Sequence, residues 1–156
     1  MVAKANVPIK IRLTFDREEA LRDADFVTTQ LRVGLLDARA KDERIPLKYD
    51  TIGQETNGPG GLFKGLRTIP VILDIVKDME RLCPDAWLIN FTNPAGRVTE
   101  ADLRHTQMRK VVGPCNGHIC IERGIEETMN VSKEEIYVAI TGLNHMVYAK
   151  RNYNQA

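Results

Sequence analysis

Along most of this chain, short runs of apolar and β-branched residues alternate with segments whose apolar residues recur every three or four positions. Ile9 to Phe15 (IKIRLTF) has the first pattern and predicts a strand. Asp16 then sits where it can cap a short helix over REEALRDA, its carboxylate accepting from free N–H groups of the first turn. Asp25 to Leu31 (DFVTTQL) predicts a second strand, without the polar/apolar alternation of a half-exposed one, as expected of a strand covered on both faces. Leu35 to Tyr49 carries a charge-rich helical pattern ended by Pro46. Thr51 to Gly61 (TIGQETNGPGG) reads as a glycine-rich loop. Ile69, Ile72, Val76 and Met79 predict an amphipathic helix over Thr68 to Leu82, with Pro70 near its start or at a kink. Ala86 to Thr92 predicts a third strand, and the segment opened by Asn93 and Pro94 a helix. RKVVGPC predicts a fourth strand ending at Cys115, followed by a helix over Ile121 to Asn130. Ser132 and Glu135 fit a capping box, and IYVAITGLNH predicts a last strand running into a polar tip.

Strands alternating with helices imply βαβ units and a parallel sheet, hence an α/β fold. In such sheets ligands collect beyond the carboxyl ends of the strands. Polar groups converge there: Gln30 and Arg32, Asn93, Cys115 and Asn116, Asn144 and His145. A dinucleotide-binding sheet opens with strand, GxGxxG and helix. The chain's glycine cluster, NGPGG, follows no convincing strand and has Phe63 where the last glycine would fall. The expected fold is therefore a truncated Rossmann-like, doubly wound parallel sheet lacking its first βαβ segment. It spans residues 1–140, with the start of a second α+β domain over 141–156.

Composition narrows the function classes. The 156 residues are 43% hydrophobic and 28% charged, with a formal net charge of +1, so neither nucleic acid nor a membrane surface is an expected partner. The opening residues have no apolar h-region, and three cysteines (Cys83, Cys115, Cys120) without a secretory signal point to a reducing, cytoplasmic setting.

Each candidate for chemistry has two readings. Cys115 and His145, thirty positions apart at strand ends, could ligate a divalent metal with open positions for substrate oxygens, or be a buried thiol and a structural histidine. Arg39 and Arg32 could hold phosphate or carboxylate, or belong to a solvated helix face with Lys41, Asp42, Glu43 and Arg44. Glu55 could serve as an acid or base, orient a neighbour, or face water. Asn93 and Asn116 could bind a sugar or a cofactor, or cap the helices that follow them. The CxxHxC run of Cys115, His118 and Cys120 invites a zinc-knuckle reading but lacks a fourth ligand nearby.

Five stretches, LRVGLLDARAKDERIPLKY, GQETNGPGG, DAWLINFTNPAG, VVGPCN and GLNHMVY, together resemble family 4 of the glycoside hydrolases, in its order and at about its spacing. The likeness is strongest to the branch acting on 6-phospho-β-glucosides. The resemblance implies NAD and a divalent metal, usually manganese, as cofactors; a homo-oligomer is also expected, because a sheet lacking its first βαβ unit exposes an edge and an apolar face. It implies that Cys115 and His145 ligate the metal, that Arg39 binds the 6-phosphate, and that Asn93 binds the sugar near the metal and nicotinamide. It further implies that Asn116 contacts the sugar hydroxyls and that Glu55 raises the basicity of a catalytic tyrosine. The branch acting on α-linked substrates has aspartate at the position of Asn116. The implied hydrolysis proceeds by oxidation at C3, loss of the C2 proton to that tyrosine, elimination of the aglycone, addition of water and return of the hydride, outside the two-carboxylate scheme of most glycosidases.

The glycine fingerprint and the tyrosine fall outside the matching stretches. The chain is thus expected to be roughly the middle third of a family member, without turnover by itself. His118 stands where the family has proline. The alternatives are an inactive paralogue that only folds and oligomerises, and a relative of 2-hydroxy-acid dehydrogenases, which GQETNGPGG and Cys115 argue against.

Overall fold

The structure is a computed structural model that describes residues 8–143 and 145–154, the last five by their backbone alone. Its elements in chain order are α1 (Arg17–Leu21), β1 (Phe26–Thr29), α2 (Leu35–Leu47), α3 (Gly58–Leu82), β2 (Trp87–Asn90), α4 (Ala95–His105), β3 (Val111–Val112), α5 (Gly117–Met129), a 3-10 turn (Lys133–Glu135), β4 (Ile136–Leu143) and β5 (Met146–Asn154). Strands β1, β2 and β3 form a parallel sheet in that order, with Phe26 opposite Trp87 and Leu88 opposite Val111. The α/β fold with a parallel sheet is as the sequence implies.

The core forms where α3 and α4 cover this sheet. Buried Lys64, Thr68, Ile72, Val76 and Met79 recur along α3 at intervals of three or four, and the last three join Leu88 of β2 and Val98 of α4 in the core. Asp16 caps α1 as expected, accepting from the N–H groups of Glu18 and Glu19 at 2.9 and 3.2 Å. Exposed ion pairs, Arg17–Asp74 at 3.0 Å and Arg81–Glu18 at 2.6 Å, tie α1 to α3.

Five expectations need correction. Ile9 to Phe15 forms no strand: its apolar side chains are exposed, Phe15 fully, and among the described residues no strand pairs with it. A strand unpaired along both edges has no ladder to hold it, whatever its residue preference. Among the described residues β1 lies at the sheet edge, and Phe26 is 67% exposed rather than covered. The glycine-rich loop ends early, because α3 starts at Gly58, ten residues before Thr68, and runs through Pro70 on its exposed face. Pro59 in its first turn is already set for helix. A Cβ on Gly60 or Gly61 would lie 2.2 or 1.9 Å from the carbonyl oxygens of Gln54 and Thr56, so only glycine lets the helix start pack so closely on the preceding loop. The fourth strand is just Val111–Val112. The last predicted strand does not join the parallel sheet; β4 pairs antiparallel with β5 in a separate two-stranded sheet.

The expected capping box forms, Ser132 N–H donating to Glu135 at 2.7 Å. The residue 140/141 division runs through β4. Among the described residues no helix is long and apolar enough to cross a membrane.

Candidate functional site

A buried polar network sews together the carboxyl ends of β1 and β2. Thr29 Oγ1 donates to Asn90 Oδ1 at 2.9 Å, the same oxygen accepts the Thr92 N–H at 3.0 Å, and Thr92 Oγ1 accepts the Leu31 N–H at 2.9 Å. Thr29, Asn90 and Thr92 are shielded from water, so the network holds the backbone on either side of it: Gln30 after β1 and Asn93 after β2. At the end of β3, α4 approaches so closely that a Cβ on Gly113 would meet Thr99 Oγ1 at 2.2 Å, which brings Pro114 and Cys115 over the sheet's end.

Two adjoining cavities of about 470 and 450 Å³ open there, and both are lined by Cys115, Asn116 and His145. The first also takes in His118 and Gly142, the second Gln30, Phe91 and Asn93. His145 comes from the β4–β5 turn in a left-handed conformation, φ +61°. Its carbonyl accepts from Gln54 Nε2 at 2.9 Å, and its Nε2 lies 3.5 Å from the Asn93 amide nitrogen. Cys115 Sγ accepts the Gly117 N–H at 3.4 Å, which holds the sulfur against the first turn of α5. Four of the residues singled out from sequence, Asn93, Cys115, Asn116 and His145, therefore share one cleft. Asn144 lies outside the described residues.

Among the described residues no three histidine, cysteine or acidic side chains come close enough to enclose a cation, so the zinc-knuckle reading fails. The cleft offers a thiol and an imidazole, with carboxamides beside them. That donor set suits a first-row divalent ion which completes its shell with substrate or water oxygens.

Arg39 and Glu55 do not line either cavity; they meet each other beside it. Glu55 is buried, 8% exposed, and is gripped by three cations. Arg32 Nη1 donates to its Oε1 at 2.8 Å, Lys64 Nζ donates to the same oxygen, and Arg39 Nη1 stands 3.7 Å from Oε2. Arg39 also donates to Glu43 at 2.8 Å. Burial pushes the Glu55 carboxyl up, but Lys64 and Arg32 outweigh it and hold the group below its ordinary value. For Lys64 burial dominates and Arg32 and Arg39 add to it, so its ammonium lies below the ordinary lysine range despite Glu55. Glu55 does not face water; Arg39 stays 41% exposed on its helix face while it pairs with Glu43 and approaches Glu55. Their link to the cleft is Gln54, whose carboxamide oxygen accepts the Asn57 N–H at 2.7 Å while its nitrogen holds His145.

Lys64 and Gln54 were not singled out from the sequence. The signal for Lys64 was the four-residue step that joins it to Thr68, Ile72 and Val76, visible only once α3 is started at Gly58. A lysine on that stripe must find a carboxylate. For Gln54 no local signal exists, since its partner is 91 residues away.

The model of the family 4 glycosyl hydrolases matches residues 1–131, and the chain belongs to that family. It is 68% identical over 148 residues to a probable 6-phospho-β-glucosidase of Bacillus subtilis and 59% identical over 151 residues to the 6-phospho-β-glucosidase of Escherichia coli. These matches cover 95% and 96% of this chain but 34% of each relative, so the chain spans about a third of the length of the curated relatives it matches. Among solved structures, the 6-phospho-β-glucosidase of Thermotoga maritima with manganese, NAD+ and glucose 6-phosphate superposes with a TM-score of 0.82 at 36% identity, over 97% of this chain and 39% of that one. A 6-phospho-α-glucosidase from gut microorganisms, in complex with NAD and glucose 6-phosphate, gives 0.85 at 30% identity, over 99% and 36%.

Proposed function

We propose that this chain is the central part of an NAD- and divalent-metal-dependent 6-phospho-β-glucosidase. The carrying observation is the shared cleft of Cys115, Asn116, His145 and Asn93 at the strand ends. The relatives at 68% and 59% identity are named as 6-phospho-β-glucosidases, while a maltose-6'-phosphate glucosidase of B. subtilis stands at 44%. Asn116, in place of the aspartate of the α-specific branch, supports the same choice.

In this reading Cys115 and His145 hold the metal, probed as Mn2+, and Asn93 and Asn116 bind the sugar hydroxyls around it. Arg39 takes the 6-phosphate. Glu55, kept ionised by its cations, raises the basicity of a tyrosine in the rest of the protein. When bound, NAD would take up and return a hydride, and the metal would supply Lewis acidity at the carbonyl oxygen of the oxidised sugar. Asn93 beside the His145 ring and Gln54 on its carbonyl keep the imidazole turned into the cleft. We assign the boundary of the two domains to the residues between 131, where the family match ends, and Ile136, where the second sheet begins. The free cysteines fit a cytoplasmic setting.

Calorimetric titration with Mn2+, with and without glucose 6-phosphate, tests the reading. The chain is expected to bind Mn2+, more tightly with the sugar phosphate present, and Cys115→Ser is expected to weaken binding at least tenfold. Metal binding indifferent to Cys115 contradicts it. The chain alone is expected to show no turnover of a 6-phospho-β-glucoside; NAD-dependent cleavage by the purified chain would overturn that part.

A further inference from the structure

Lys64 is 3% exposed, whereas the side chains of Arg32 and Arg39 are 36% and 41% exposed. Glu55 thus lies between an ammonium behind it and two guanidiniums in front, on the solvent side. Arg32, Arg39 and Lys64 bring three positive charges, and Glu43 and Glu55 two negative ones. Without Lys64 the front of the cluster would be neutral; with it, one positive charge is left for a ligand. The glycines at the start of α3 permit this, because the close approach of Gly60 and Gly61 to residues 54–56 is what brings Lys64 under Glu55.

We infer that Lys64 is the positioning residue of an anion clamp whose arms are Arg32 and Arg39. It neutralises and pins Glu55 from behind, so that both arginines are lined up by Glu55 yet keep net positive charge for a phosphate group. Lys64 itself does not touch the anion. Guanidiniums that converge on one carboxylate suit the oxygens of a phosphate monoester, and a buried counter-charge sets their field without occupying the site. The inference rests on the phosphoglucosidase reading for the source of the phosphate, but not for the charge arithmetic.

The test is calorimetric titration of the chain with inorganic phosphate, on wild type and on Lys64→Met, Glu55→Gln and the double variant, with a carbon-13 NMR titration of the Glu55 carboxyl in Lys64→Met. Lys64→Met is expected to weaken phosphate binding about tenfold and to raise the Glu55 titration. Glu55→Gln strengthens binding, and the double variant, with its net charge restored, returns close to wild type. A purely structural role for Lys64 would instead weaken all three. Should Lys64→Met fail to fold, the other two variants decide: binding weaker than wild type in both overturns the inference. So does phosphate affinity unchanged in Lys64→Met with the Glu55 titration unmoved, or a wild type that binds no phosphate. Mn2+ binding at Cys115 is read separately. Its loss with the charge series intact sinks the phosphoglucosidase reading alone, and its survival with the series failing sinks the clamp alone.

Discussion

Two regions of this molecule are held together in different ways. Around β2, α3 and α4, the side chains of Ile72, Val76, Met79, Leu88 and Val98 are shielded almost completely, and buried hydrogen bonds fix the strand ends. In α5, by contrast, no residue is buried, and the β4–β5 hairpin buries only Ile136 and Val138 among the described residues. The site takes Asn93 from the first region and His145 from the second, with Cys115 at the join. Half of it is thus preorganised by packing, and half depends on a hairpin tied down by Gln54 and by whatever ligand Cys115 and His145 share.

Core substitutions are the strongest way to break this contrast. Leu88→Ala is expected to lower unfolding stability by about 3 kcal/mol and Ile125→Ala, on half-exposed α5, by less than about 1, read by urea denaturation. Equal losses would mean that α5 is as firmly packed as the sheet. Next in size is Asp102, fully shielded within α4 with neither carboxylate oxygen hydrogen-bonded. Burial raises it to about 7. A carboxyl raised in the folded state makes its contribution below its unfolded pKa of about 4 and loses it as pH climbs to about 7. Wild type should therefore lose on the order of 2–4 kcal/mol relative to Asp102→Asn between pH 4 and pH 8. The check is a pair of denaturation series at the two pH values; a difference independent of pH would count against a neutral buried Asp102. Smallest in energy is the exchange of amide hydrogens, expected to be about tenfold faster in α5 and β4 than in α3 and β2. Slowing of β4 exchange when Mn2+ and glucose 6-phosphate are added would show that ligand completes the weaker half.

Much of this was legible from residue patterns. β1 and β2 lie inside their apolar runs because β-branched residues fit a paired strand, and Asp16 and Ser132 cap as their side-chain oxygens require. The strand-end rule groups Asn93, Cys115, Asn116 and His145 from sequence, and the cleft contains all four. What stayed hidden depended on partners remote in sequence. Ile9 to Phe15 has the residues of a strand but no neighbour to pair with. The start of α3 was masked because glycines that permit close packing look the same in sequence as glycines that permit a turn. That misreading concealed Lys64, and with it the fact that Glu55 is an ion-paired, buried group.

The central claim is that Cys115, not the neighbouring soft side chains, holds the metal. Titration with Co2+, followed by the near-ultraviolet charge-transfer band of a cobalt–thiolate bond, tests it most directly. The account predicts a band that disappears in Cys115→Ser and persists in Cys120→Ser. A band that survives without Cys115, or vanishes without Cys120, would contradict it.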